Sequence, residues 1–129
     1  MVVAGCFEDH EVRRSTRSDN AEIVEMMASG AHMTLFVTGR GSVVGSAISP
    51  VIKIAANPDM YDRLHEDMDV NAGRIITGEA GLDEIGDEIF ELVTQVAGGH
   101  QTKSEALGHA EFILTYKTFE PIGPSCLPV

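Results

Sequence analysis

The segment Met33-Thr-Leu-Phe-Val-Thr-Gly-Arg-Gly-Ser42, continuing through Gly45 to Pro50-Val-Ile-Lys-Ile54, decides the fold class of this chain. Met33 to Val37 is too apolar to alternate, as expected of a strand covered on both faces. Val51 to Ala55 has the same character, and the connection 38–50 between them is rich in glycine and serine. Downstream, Asn57 places a cap before Pro58 at a first helical position, which predicts a helix from Pro58 to about His65. Asp67 to Val70 then begins another extended piece.

Working outward, Asp19 followed by Glu22 has the spacing of a weak capping box, with Ile23, Val24 and Met27 on one apolar face and Gly30 as the stop. Met1 to Phe7 is a candidate strand, and Glu8 to Asn20, with Arg13, Arg14 and Arg17, reads as a mobile loop. On the other side, Ile85, Ile89, Leu92 and Val96, widened by Val93, form the stripe of a helix over Asp83 to Ala97, ended by Gly98 and Gly99. Lys103, Ser104 and Glu105 begin a short helical turn, Phe112 to Tyr116 reads as a last strand, and a proline-rich tail runs from Glu120 to Val129. The expectation is an irregular segment over 1–20 and one α/β domain over 21–129. That domain has two or three layers and a mostly parallel, Rossmann-like sheet.

Composition narrows the partners. The chain of 129 residues is long enough for one core. A net charge of -11 argues against general affinity for nucleic-acid backbone or anionic lipid, and the lack of tryptophan against base-stacking platforms. No apolar run approaches the roughly 18 residues of a membrane span, and the N-terminus does not read as a signal peptide. Cys6 and Cys126 are expected to be reduced thiols, which points to a cytoplasmic setting.

In so acidic a chain, Arg40 in the glycine loop and Lys53 at a strand end read as the receiving end of a small anion. The run Gly39 to Gly45 nearly matches a dinucleotide fingerprint, but its third glycine falls one position late and Pro50 arrives before a crossover helix. What survives is an anion cradle: glycines admit backbone N–H groups, and a guanidinium fork suits a carboxylate. Asp67-Met-Asp-Val-Asn-Ala-Gly73 starts like a calcium loop, but Ala72 holds the glycine position and Gly78 the glutamate position. Asp67, Asp69 and Asn71 would still share one side of an extended segment, able to face a metal or a hydroxylated ligand. The five histidines lack metal-ligand spacing. His109, just before the last expected strand, is the best candidate among them.

Thr38-Gly-Arg-Gly-Ser42, Pro50-Val-Ile-Lys-Ile54 with Ala56-Asn-Pro58, Asp67 to Gly73, and Lys103-Ser-Glu-Ala-Leu-Gly-His109 with Glu111-Phe112 follow one another in an order that resembles the C-terminal portion of the altronate and galactarate dehydratase family. That group includes the large subunit of sulfolactate sulfo-lyase, and the resemblance spans roughly residues 30 to 117. It implies a lyase that removes water, or sulfite in the sulfo-lyase branch, from a 2-hydroxy acid to leave a keto acid. It also implies dependence on a divalent metal, iron(II) or manganese. No metal-ligand set maps onto these residues, so the ligands are expected outside the chain. Members are much longer, which makes this chain a C-terminal fragment or a small subunit. Its partner would be the missing region or another subunit, and self-association through an exposed apolar patch is a further expectation. On this resemblance Arg40 and the loop residues Thr38, Gly39, Gly41 and Ser42 hold the substrate carboxylate. Lys53 supports the developing charge or orients a neighbour, Asp69 and Asn71 bind hydroxyls, and His109 shuttles a proton to the leaving group. The competing expectation is a non-catalytic anion-binding or assembly module on the same fold.

Overall fold

Every residue of the strand Val51–Ala55 is buried, and the rest of the fold is arranged around it. The computed structural model describes residues 2–3 and 19–113. In chain order the elements are β1 (Val2–Val3), α1 (Asp19–Ala28), β2 (Thr34–Thr38), β3 (Val51–Ala55), α2 (Pro58–Arg63), β4 (Val70–Asn71), α3 (Arg74–Thr77), α4 (Leu82–Ala97) and α5 (Lys103–Ala106). The sheet order is β1-β2-β3-β4. β2 runs parallel to β3 from Thr34↔Val51 to Thr38↔Ala55, β3 runs parallel to β4, and β1 joins the outer edge of β2 antiparallel.

Strand alternation divides the core between the two faces. Leu35, Ile52 and Ile54 pack against Ile89, Leu92, Val93 and Val96 of α4. Phe36 and Val51 pack on the other face against Ile23, Met26 and Met27 of α1, while Ala55 meets Met60 of α2 and Met68. Helices therefore cover both faces of a mostly parallel sheet, which is the expected α/β layering in its three-layer form. The connection 39–50 contains no helix. Val44, 2% exposed, joins the α1-side cluster instead and gives that long crossover its anchor. Burying one such side chain contributes about 1.5–3 kcal/mol.

Local signals explain most boundaries. The Asn57 side chain accepts from the amides of Asp59 and Met60 ahead of Pro58, as the sequence requires. Gly30 ends the α1 turn at φ +97°. Asp19 is already inside α1 with Glu22 in its first turn, so it does not act as the cap. Asp67 belongs to the turn after α2, and the extended piece begins only at Val70. Helix α3, tied to α4 by the Arg74–Glu88 ion pair, carries no periodic signal long enough to read from sequence. Phe112 and Ile113 are not in a strand, and Asp19 and Asn20, expected in a loop, are helical; Leu114 to Tyr116, the proline-rich tail, residues 4–18 and both cysteines lie outside the described residues.

Candidate functional site

Lys53 is the middle residue of β3, not a strand-end charge, and its side chain is 0% exposed. Alternation puts it on the face shared by Val51 and Ala55, between the α1-side and α2-side clusters. A buried ammonium is costly unless paired and hydrogen-bonded. Here Nζ lies 3.7 Å from Asp67 Oδ1 and has no hydrogen-bond partner among the described residues. Burial pushes the Lys53 pKa below its usual 10.5, and the nearby carboxylates of Asp67, Asp69 and Glu111 pull it back up.

The turn after α2 presents Asp67 because several groups pin it. The amides of Asp67 and Met68 donate to Leu64 O, and Lys103 Nζ donates to both His65 O and Met68 O at 2.6 Å. Asp69 closes the clamp: Oδ2 accepts the Lys53 amide at 2.7 Å and Oδ1 accepts the Lys103 amide at 2.9 Å. Helix α5 is held against β3 by Ser104 Oγ donating to Val51 O at 2.8 Å, and it starts in a reciprocal capping box between Thr102 and Glu105. The His109 amide then donates to Ser104 O at 2.9 Å, which brings the ring to 3.9 Å from Asp67, Nδ1 to Oδ1. One carboxylate oxygen thus faces both Lys53 and His109.

The connection 39–50 completes the surroundings of His109. A Cβ on Gly45 would stand 2.4 Å from the His109 carbonyl oxygen, so only glycine allows this approach. The Gly45 amide donates to Glu111 Oε2 at 3.0 Å. His109 and Glu105 line a cleft of about 340 Å³ with Ser46 to Pro50, Gly108 and Ala110.

The sequence-predicted residues separate into two places. Arg40 is exposed in a second cleft, about 420 Å³, with Gly39, Met60, Arg63 and Leu64. Among the described residues no hydrogen bond or ion pair engages its guanidinium. Gly41 adopts φ +88° against Leu64 and donates to Thr38 Oγ1 at 3.1 Å, while Ser42 Oγ accepts the Val44 amide, so those hydroxyls shape the loop. Asp69 has both oxygens occupied by backbone amides, the contact pattern of a scaffold carboxylate. Asn71, in β4, keeps a buried Oδ1 without a partner among the described residues. Lys53 and His109 are therefore brought to one carboxylate, and Arg40 lines a separate cleft.

Sequence reasoning gave Glu111 no role and read Asp67 only as able to face a metal or a hydroxylated ligand, not as the neighbour of Lys53 and His109; Arg63 is the unexpected neighbour of Arg40. Both carboxylates stand inside blocks whose order was legible, and that block order is the one signal able to point to them.

The comparisons with known proteins agree with these blocks. Residues 11–119 match the family model described as D-galactarate/altronate dehydratase, C-terminal, so the match begins upstream of the resemblance over residues 30 to 117. The chain is 41% identical over 96 residues to (2R)-sulfolactate sulfo-lyase subunit beta of Chromohalobacter salexigens, covering 74% of this chain and 25% of that protein. It is 40% identical over 75 residues to galactarate dehydratase (L-threo-forming) of Escherichia coli, covering 58% of this chain and 14% of that protein. With altronate dehydratase of Escherichia coli it shares 34% over 80 residues, or 62% of this chain and 16% of the relative. The chain thus spans a quarter or less of the length of these curated relatives. It belongs to the D-galactarate/altronate dehydratase C-terminal family.

Proposed function

We propose that this member of the family is the C-terminal domain of a cytoplasmic lyase that eliminates water from a sugar acid such as altronate or galactarate, leaving a 2-keto-3-deoxy acid. The observation that carries this reading is the buried Lys53 ammonium, without a hydrogen bond at Nζ among the described residues, sharing Asp67 with His109. A charge left so in a core costs several kcal/mol without function to retain it. Elimination next to a carboxylate builds a second negative charge, which fixed cationic groups stabilise best in a water-poor site. In this reading Arg40 holds a substrate carboxylate, and Lys53 balances charge through Asp67. His109 passes a proton to the departing hydroxyl. Asn71 is the remaining candidate for a substrate hydroxyl. Asp69, its oxygens already taken, orients Lys53 and Lys103.

Iron(II) or manganese remains part of the proposal, supplying Lewis-acid stabilisation of the enediolate when bound. Among the described residues no group of three or more His, Cys, Asp and Glu could hold a metal. The residues therefore do not fit the ion, and no step here runs through it; its ligands are assigned to the rest of the enzyme. That remainder is also the proposed partner. Ile76, Leu82 and Phe90, each more than 70% exposed around α3 and α4, are apolar surface that such a partner would cover.

The second reading is a sulfo-lyase subunit acting on sulfolactate, favoured by the longer match to that relative, 96 residues against 75 and 80. One screen separates the two. The chain, reconstituted with the remaining region or subunit and either metal, is incubated with altronate, galactarate and sulfolactate while keto acid and sulfite are measured. Keto acid without sulfite supports the dehydratase, and sulfite release supports the sulfo-lyase. Neither product from a folded, metal-loaded assembly overturns the lyase reading in favour of a binding module.

A further inference from the structure

Three carboxylates surround Lys53, and they are committed differently. Asp69 gives both oxygens to the amides of Lys53 and Lys103, and Glu111 gives Oε2 to the amide of Gly45. Asp67 accepts no hydrogen bond among the described residues. Its Oδ1 instead lies 3.7 Å from Lys53 Nζ and 3.9 Å from His109 Nδ1, inside ion-pair range of both. The lysine is sealed at 0% exposure, whereas the Asp67 and His109 side chains keep 19% and 21%. Lys53 therefore has no route of its own to solvent or ligand, and His109 has one through the cleft it lines with Glu105.

We propose that Asp67 is the positioning residue of this site: one oxygen holds the Lys53 ammonium and the His109 Nδ1–H together, so that His109 turns Nε2 toward the cleft. The proposal rests on the reading above in which His109 moves a proton. A proton arriving at Nε2 forms an N–H bond there and makes an imidazolium whose other N–H faces Asp67. Its departure breaks that bond and restores the neutral ring, with no proton passed to or from Asp67 or Lys53. At 3.9 Å the approach is one of charge and not yet a hydrogen bond; His109 Nδ1 is buried with no hydrogen-bond partner among the described residues, which leaves the Asp67 carboxylate facing it as the acceptor that would select the tautomer.

Nitrogen-15 imidazole NMR of the full chain tests this without substrate. The wild-type protein should show neutral His109 protonated at Nδ1 and bare at Nε2; a proton on Nε2 instead overturns the proposal, and that measurement needs no variant. In Asp67→Asn, judged folded by its amide spectrum, the ring should move to a mixture of tautomers, and Asp67→Glu should restore the Nδ1–H form. An unchanged tautomer in a folded Asp67→Asn protein also overturns it. In the reconstituted enzyme the same variant should shift the pH profile of kcat, which a packing defect alone would not do. If the tautomer behaves as stated while no hydroxy acid is turned over, the positioning role stands and the functional reading falls.

Discussion

Replacing Lys53 by Met tests whether a cation is truly held in the core, because the two side chains are similar in length and only one titrates. The folded-state pKa of Lys53 lies below 10.5, the value expected of the exposed residue in the unfolded chain. Between those two values the unfolded chain holds a proton that the folded chain has released. Unfolding free energy therefore rises with pH across that window, by at most about 1.36 kcal/mol per pH unit for one group. Below the folded value both states are protonated, above about 10.5 both are neutral, and in either region the contribution is flat. Urea unfolding of wild type and Lys53→Met, followed by circular dichroism from neutral pH to about 11, isolates the effect. Other groups titrate alike in both proteins and cancel in the difference. The expected result is a wild-type stability that gains on the variant as pH rises, with a slope no steeper than that limit. A flat difference, or one falling with pH, refutes the buried-cation reasoning whatever the offset between the two proteins.

Gly45→Ala should lower stability by about 1–3 kcal/mol, the usual cost of overpacking, because its Cβ would meet His109 backbone at 2.4 Å. Unaltered thermal unfolding would contradict that contact. Asp69→Ala removes the acceptor of two amides and should cost about 3–6 kcal/mol, at roughly 1.5–3 kcal/mol per hydrogen bond to a charged group. A loss below 1 kcal/mol in denaturant unfolding would restore Asp69 as a free ligand carboxylate. Arg40→Ala should leave stability nearly unchanged, since the side chain is exposed and unpaired among the described residues, yet slow the complete enzyme about 10²-fold if it faces developing charge. Unchanged turnover removes Arg40 from the mechanism.

Much of the fold was legible in local chemistry. The largely apolar stretches Met33–Val37 and Val51–Ala55 read as strands covered on both faces; β3 is buried throughout, whereas β2 leaves Val37 exposed. The Asn57–Pro58 cap and the stripe from Ile85 to Val96 likewise carried α2 and α4, because caps and helical periodicity are short-range properties. Helix α3 escaped notice because four residues do not make a period, and Asp19 looked like a cap because its spacing to Glu22 says nothing of where the preceding backbone enters the helix.

The site divides along the same line. Sequence by itself determined that a lysine interrupts an apolar strand, that a glycine loop bears an arginine, and that blocks of a lyase family follow in order. Only the tertiary structure decided that Lys53 is sealed, that Asp67 joins it to His109, and that Arg40 opens into a different cleft. The physical reason is separation along the chain. Positions 53, 67 and 109 come from a strand, a turn and the segment after a short helix, and no periodicity links them. They meet because Lys103, Ser104 and Asp69 anchor the turn after α2 and α5 onto β3 through backbone atoms. A residue's spacing reveals the element it belongs to, and these backbone bonds determine which side chains that element brings together.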